Sequence, residues 1–265
     1  MNRTESGCEK ELAMLGRRKA IVDLLNEKGS VTVAELSQTL NVTLTTIRRD
    51  LAQLEKQGVL MRIYGGAVLE PEPFASLPLS AKERLNFEAK ERIARQAAKM
   101  INPGETIILD EGSTCIALAR ELRKLRDITV VTNGLKVAYE LTPNPHIVTI
   151  LVGGICGHNS FVAYGHDTIE GFSRIRAHKY FMGIDAIQLG FGISDGDPNQ
   201  VPLKVAKIAV SKEVIGMADR SKFSKIAVAK VGRLGILNHL IMDSPVNESL
   251  KLELEKERVN LIEVD

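Results

Sequence analysis

Cysteine is scarce in this chain: three in 265 residues, at Cys8, Cys115 and Cys156. They form no CxxC pair and no Cys/His group with zinc spacing, so neither a disulfide framework nor a metal site is expected. His158, His166 and His178 are scattered in the same way and read as ordinary polar residues. Net charge is equally sparse. A formal +2 at pH 7 gives no basic coat, so a case for nucleic-acid binding has to rest on local pattern. No apolar run is long enough to span a bilayer. Met1-Asn2-Arg3-Thr4-Glu5-Ser6 leads into charged residues and not into a secretory apolar core, so a cytoplasmic location is expected. Repeats and low-complexity tracts are missing too. What is present is ordinary globular composition, 44% hydrophobic and 26% charged, at a length that suits a small domain followed by a medium one.

Leu69-Glu70-Pro71-Glu72-Pro73-Phe74 carries two prolines that cannot continue a helix and that favour an extended connector. The expected organisation is a lead-in over 1–15, a helical module over 16–69, a connector over 70–81 and a larger module over 82–265.

In the first module, a helix from about Arg17 to Lys28 turns Ile21, Leu24 and Leu25 inward and stops at Gly29. A short helix follows over Val33–Leu40. Asn41-Val42 makes a turn, and Thr43 caps a third helix from Leu44 to about Gln57. On that helix Leu44, Ile47, Leu51 and Leu54 recur at helical spacing and face the other two. Thr45, Thr46, Arg48, Arg49 and Gln53 are left outside. Hydroxyls near a helix N-terminus suit base edges and phosphates, and paired arginines reach guanines or the backbone. Beyond Gly58, the stretch Val59–Val68 reads as a hairpin wing that offers Arg62 and Tyr64. The pattern is a winged helix-turn-helix for double-stranded DNA. The same pattern also describes a three-helix bundle that makes protein contacts.

The second module opens with a predicted helix over Lys82–Ile101, with Leu85, Ala89, Ile93, Ala97 and Met100 on one side. Short β-branched runs then alternate with helical segments: Thr106–Leu109, Ile128–Val131, Ile147–Val152, Tyr180–Met182, Val214–Met217 and His239–Met242. That alternation predicts an α/β domain with a mainly parallel sheet. A helical stretch over Glu248–Arg258 and a closing strand near Asn260–Val264 complete it. After the first run comes Asp110-Glu111-Gly112-Ser113-Thr114, with a helix starting near Cys115. A strand, a Gly/Ser/Thr loop and a helix N-terminus make an anion site, and a plain capping turn is an equal reading. There is no P-loop lysine and no GxGxxG, so a small phosphorylated ligand fits better than a nucleotide cofactor. Other strand ends carry Thr132-Asn133, Gly153-Gly154 and Asp185. Asp219 and Lys222, three apart, either hold a hydroxyl and a phosphate or form a surface ion pair. Cys115 reads as a packing residue in preference to a redox sensor.

Val33-Ala34-Glu35-Leu36, Thr46-Ile47-Arg48-Arg49-Asp50-Leu51 and Arg62-Ile63-Tyr64-Gly65-Gly66-Ala67 resemble the N-terminal signature of DeoR-family repressors. Asp110–Thr114, Thr132-Asn133, Gly153-Gly154 and Ala218–Phe223 resemble the family's sensor domain. The resemblance implies a domain similar in fold to ribose-5-phosphate isomerase that senses a phosphorylated sugar or sugar metabolite. It also implies a repressor of carbohydrate metabolism without enzymatic activity or cofactor. The departures are Tyr64 for a histidine, Ala186 for a glycine, and Gln200-Val201-Pro202-Leu203-Lys204 where the family has Glu-Ala ahead of Val-Lys. Lys204 joins the effector candidates on this basis. At least a dimer, or a tetramer, is expected, because one such module reads only a few base pairs. The alternative is a sugar-phosphate isomerase with Asp185 or Asp110 as base.

Overall fold

The computed structural model describes residues 14, 16–25, 30–56, 59–63, 65–68, 79–156 and 161–265. Gly29, Gly58, Tyr64 and the connector as far as residue 78 lie outside them. The chain divides into two compact units, Met1–Glu72 and Pro73–Asp265.

The first unit runs α1 (16–25), β1 (Ser30–Thr32), α2 (Val33–Thr39), α3 (Leu44–Lys56), β2 (Met61–Ile63) and β3 (Gly66–Val68). A capping box starts α2. Thr32 Oγ1 accepts from the Glu35 N–H at 3.1 Å, and Glu35 Oε2 accepts from the Thr32 N–H at 2.9 Å. Asn41 makes the turn at φ +49°, a left-handed conformation that asparagine tolerates. Thr43 Oγ1 then accepts from the Thr46 N–H at 3.3 Å and caps α3. Ile47, Leu51 and Leu54 pack against Ile21, Leu25, Leu36 and Leu60. Leu44, expected inward, is 44% exposed, because the first residue of α3 overhangs the bundle. Asp50 occupies the buried stripe instead. It is held by Arg17 Nε at 2.6 Å and Arg18 Nε at 3.0 Å, and a buried carboxylate requires such partners. The wing is the β2–β3 hairpin, and β1 adds a third antiparallel strand to β3. Gly66 is required there, since a Cβ would lie 2.2 Å from the Val31 carbonyl oxygen.

The second unit opens with α4 (Leu79–Arg84), α5 (Phe87–Ala98), β4 (Thr106–Leu109), α6 (Ser113–Leu122), β5 (Ile128–Thr132), α7 (Leu135–Leu141) and β6 (Ile147–Leu151). A small hairpin, β7 (Ile155–Cys156) and β8 (Ala163–Tyr164), leads into α8 (His166–Ser173) and β9 (Ala177–Gly183). Next come β10 (Ala186–Gln188), β11 (Gly192–Asp195), α9 (Gln200–Ala209), β12 (Ser211–Ala218) and β13 (Ala229–Gly232). The unit closes with β14 (His239–Asp243), α10 (Glu248–Lys256) and β15 (Asn260–Val264).

Seven strands form one parallel sheet in the order β15-β14-β12-β9-β4-β5-β6. Successive residues of a strand point to opposite faces, and both faces of the central strands are buried. Ile107, Leu109 and Phe181 meet α5, α6 and α7 on one side. Ile108, Tyr180 and Met182 meet α8, α9 and α10 on the other. A separate antiparallel sheet, β10-β11-β13, stands beside it.

The helix predicted over Lys82–Ile101 is broken in two. Asn86 adopts φ +51°, and the reversal turns Leu85 outward to 36% exposure. The helix expected near Cys115 begins two residues earlier, because Gly112 at φ +95° lets the chain enter α6 directly from the turn. Pro202 falls within the first turn of α9, where its missing N–H has no intrahelical partner to lose. Among the described residues, no helix is long and apolar enough to cross a membrane.

Candidate functional site

The exposed face of α3 is built by its buried one. With Ile47, Asp50, Leu51 and Leu54 inward, Thr45, Arg48, Arg49 and Gln53 are exposed and Thr46 is half-buried. The two arginines make no side-chain hydrogen bond or ion pair among the described residues, so their guanidinium groups are available. Arg62 is different. Its Nε donates to Glu55 Oε2 at 2.6 Å and its backbone N–H to Glu55 Oε1 at 3.1 Å. Those hydrogen bonds hold the Glu55 carboxyl below its usual range. A phosphate contact by Arg62 therefore competes with Glu55. Tyr64, the other wing candidate, lies outside the described residues.

In the second unit the chain leaves β4 toward β5 and β6 on one side, then returns to β9 on the other. The β4–β9 boundary is thus the switch point of the sheet, and ligands of open α/β sheets gather at the carboxyl ends of the strands beside such a point. Asp110 follows β4 and is fully buried. Lys204 Nζ reaches its Oδ2 at 2.6 Å, Lys207 Nζ reaches its Oδ1 at 2.5 Å, and the Gly183 N–H donates to Oδ2 at 3.2 Å. Burial alone raises the Asp110 carboxyl, but the two ammonium groups outweigh it and hold it far below the usual range. Lys207 also faces Glu111 Oε2 at 3.3 Å and the rings of Phe172 and Tyr180, whose centroids lie at 5.1 and 5.8 Å.

Glu111 behaves in the opposite way. Burial, aided by the charge of Asp110, pushes it up to about 7 against the pull of the lysines. The folded chain therefore holds a proton there between 4.5 and about 7 that the unfolded chain releases. Glu111's contribution to stability is complete below 4.5 and is lost as pH rises through about 7. Glutamine imitates the protonated form. Glu111→Gln should match the wild type in urea unfolding at pH 4 and gain on it as pH rises to 8. A wild-type advantage growing with pH would refute this account.

The expected effector residues meet different fates. Lys204 is occupied: besides Asp110, it donates to the Gly183 carbonyl at 2.7 Å and faces Asp195 Oδ2 at 3.5 Å. Asp185 lies 3.5 Å from Lys82 Nζ and accepts from the Gly196 N–H at 3.3 Å. Burial opposes its charge, yet Lys82, Lys222 and Lys204 keep its carboxyl low. Asp219 and Lys222 are not an ion pair. The Asp219 carboxylate is buried and accepts from Asn86 Nδ2 at 2.8 Å and the Ser221 N–H at 3.0 Å. The Lys222 ammonium makes no hydrogen bond or ion pair among the described residues. Ser113 and Thr114 are the first residues of α6, with Gly112 at its N-cap. Thr132 Oγ1 accepts from the Gly134 N–H at 3.0 Å, which serves the turn. Asn133 is buried, and its Oδ1 has no hydrogen-bond partner among the described residues, as is also true of Gln200 Oε1. Buried acceptors without partners are uncommon. Gly153 is exposed, and Gly154 packs so closely that a Cβ would sit 2.1 Å from Thr168 Oγ1. Cys115 is fully buried, and burial pushes its thiol well above its usual value, which fits the packing role.

Lys90 was not anticipated. It is 4% exposed, yet its ammonium contacts no carboxylate among the described residues. It donates to the carbonyls of Lys82 and Leu85 at 2.5 and 2.6 Å, the groups freed where α4 ends. Burial above all, with Lys222 and Lys82 nearby and Asp219 opposing, brings it down to about 8. A lysine has three N–H donors, so one stays open. The available signal was a charged residue on the inner stripe of a helix, in register with Ala94 and Ala97. Asp50 on α3 carries the same signal.

A winged helix-turn-helix joined to an α/β unit with a cluster of charged residues at its switch point defines a two-domain transcriptional regulator of the helix-turn-helix class. The family models agree. The DeoR-like helix-turn-helix domain matches residues 17–72 and the DeoR C terminal sensor domain matches residues 85–244. The chain belongs to the DeoR family. It is 35% identical over 234 residues to the HTH-type transcriptional regulator GolR of Listeria innocua serovar 6a, covering 88% of this chain and 92% of that one. It is 32% identical to the putative aga operon transcriptional repressor of Escherichia coli O157:H7, covering 99% and 98%. It is 31% identical to the glycerol-3-phosphate regulon repressor of Escherichia coli (strain K12), covering 92% and 97%. Among solved structures, ribose 5-phosphate isomerase A of Methanocaldococcus jannaschii aligns over 53% of this chain and 56% of its own. The identity is 18% and the TM-score 0.39, too weak a likeness to assign any residue.

Proposed function

We propose that this regulator is a repressor of a carbohydrate-metabolism operon. It binds its operator as a homo-oligomer and is controlled by a phosphorylated sugar or related metabolite. Thr45, Thr46, Arg48, Arg49 and Gln53 meet DNA from an α3 capped by Thr43, with the wing residues Arg62 and Tyr64 beside them. The effector enters the crevice bounded by Asp110, Gly112, Ser113, Thr114, Asn133, Asp185, Asp219 and Lys222. Thr132, Gly153, Gly154 and Lys204 shape that crevice from behind. The relatives named for an aga operon and a glycerol-3-phosphate regulon support the ligand class. The observation that carries it is the buried Lys90, which makes no ion pair among the described residues and lies near Lys222, since a buried cation with no carboxylate in direct contact suits a ligand that brings an anion. Coupling runs through α4, the first helix beyond the connector. An anion that competes for Lys82 and Lys90 alters what holds that helix. Catalysis is not part of this reading. Asp110, clamped by two lysines, is too weak a base to take a proton from carbon, and Asp185 is tied to Lys82.

The test is a thermal-shift panel of sugar phosphates and the parent sugars. At a hundredfold excess over Kd, the cognate phosphate should stabilise by about 2.7 kcal/mol, or roughly 5–10 °C for a unit of this size. Lys90→Met and Lys222→Met should each remove the shift. A response to free sugars and to no phosphate ester would overturn the ligand class.

A further inference from the structure

Residues 141–165 contain no Asp, Glu, Lys or Arg, in a chain that is 26% charged. The stretch includes β6, which pairs with β5 alone and so ends the sheet. A sheet edge carries unpaired backbone donors and acceptors, and proteins commonly guard it with charge. The opposite edge is guarded: on β15, Glu263 pairs with Lys251 at 2.8 Å. The β6 edge reads Ile-Val-Thr-Ile-Leu.

Its side chains are as bare as its backbone. Ile150 continues the row formed by Ile108 and Val131 across the sheet. Those two are fully buried, whereas Ile150 is 40% exposed and Val148 60%. Helix α8 covers this face only as far as Val152, which packs on Gly171. Leu151, on the other face, is 47% exposed, and Ile155, Phe161 and Tyr139 are 63%, 49% and 76% exposed. Among the described residues, five of the fourteen exposed large apolar side chains fall within 148–161.

We infer that β6 is the self-association edge of the sensor unit, pairing antiparallel with β6 of a second copy across a two-fold axis. This rests on the homo-oligomer reading above and names its surface. A two-fold sets a strand antiparallel to itself. The uncharged sequence then meets its own copy without like-charge opposition, and a different partner would find no charge to select it. Six large apolar side chains, each between 40% and 76% exposed, together present several hundred square ångströms. A standard interface needs about 800 Å² per partner, and the polar neighbours and the strand backbone supply the rest.

Sedimentation of the full chain against Val148→Lys/Ile150→Lys, over a range of concentrations, tests this. Four lysines across the axis should weaken association by on the order of 100-fold, with circular dichroism and melting unchanged. Ile155→Lys, outside the sheet, should act in the same direction if the double variant fails to fold. Amide exchange over 147–151 should slow as wild-type concentration rises. Folded variants with undiminished association and concentration-independent exchange at β6 would overturn this surface and leave the oligomer reading standing. A wild type that stays monomeric would overturn both.

Discussion

Lys207→Met should destabilise the sensor unit by about 3–5 kcal/mol, the range for removing one partner from a buried ion pair. Melting should fall by roughly 6–20 °C. The cost comes from what is left behind. Asp110 stays fully buried, with Lys204 on Oδ2 at 2.6 Å but without the ion pair at Oδ1, and Glu111 loses the cation at 3.3 Å. Methionine keeps the packing against Phe172 and Tyr180, so volume contributes little. The sign with pH follows from Asp110. Its carboxyl sits below the ordinary 3.8, so the stabilisation is present above that value and is lost as pH falls beneath it. The gap between wild type and variant should be widest at neutral pH and close in acid. A double-mutant cycle with Asp110→Asn separates charge from shape. If the pair is the cause, the double variant recovers part of the loss, and strict additivity would rule the pair out.

The legible part of this molecule was the part with a period. Ile47, Leu51 and Leu54 mark α3 at helical spacing, and short β-branched runs mark strands of the parallel sheet, because burial on one stripe or on both faces leaves that trace. The strand order has no local trace, since β4 pairs with β9 across the whole stretch that holds β5, β6 and the β7–β8 hairpin. The strands of β1, β7, β8 and β10 are two or three residues long, too short to show alternation. At the site, the glycines, hydroxyls and Asp185 could be placed at strand ends. Their employment could not be read: Lys204 is spent on Asp110, Asp219 on Asn86, and Gly154 on packing against Thr168. The residues that were missed, Lys90, Lys207 and Asp50, share one property. Each is a charge on a buried face of a helix, where patterning treats it as noise and electrostatics makes it the centre of a network.

The other large effect is expected at DNA. A duplex selected from a random library by the full wild-type chain serves as the probe, and Arg48→Ala and Arg49→Ala are measured against it. Loss of a bidentate guanine contact costs about 1–3 kcal/mol. In a two-fold complex each substitution removes two contacts, so about 2–6 kcal/mol is expected, or roughly 30-fold to more than 10⁴-fold. The two arginines are separable by salt. One that reads a base should lose affinity on the selected duplex and little on random DNA, whereas one on phosphate should weaken both and lower the salt slope by about one per contact. Arg62→Ala supplies the internal comparison. Its guanidinium is already engaged by Glu55 at 2.6 Å, so any DNA contact it makes is offset by the ion pair it gives up, and the loss should be smaller. Equal losses for all three would place the wing on a par with α3. Unchanged binding by both α3 variants, with the fold intact, would remove the recognition-helix assignment altogether.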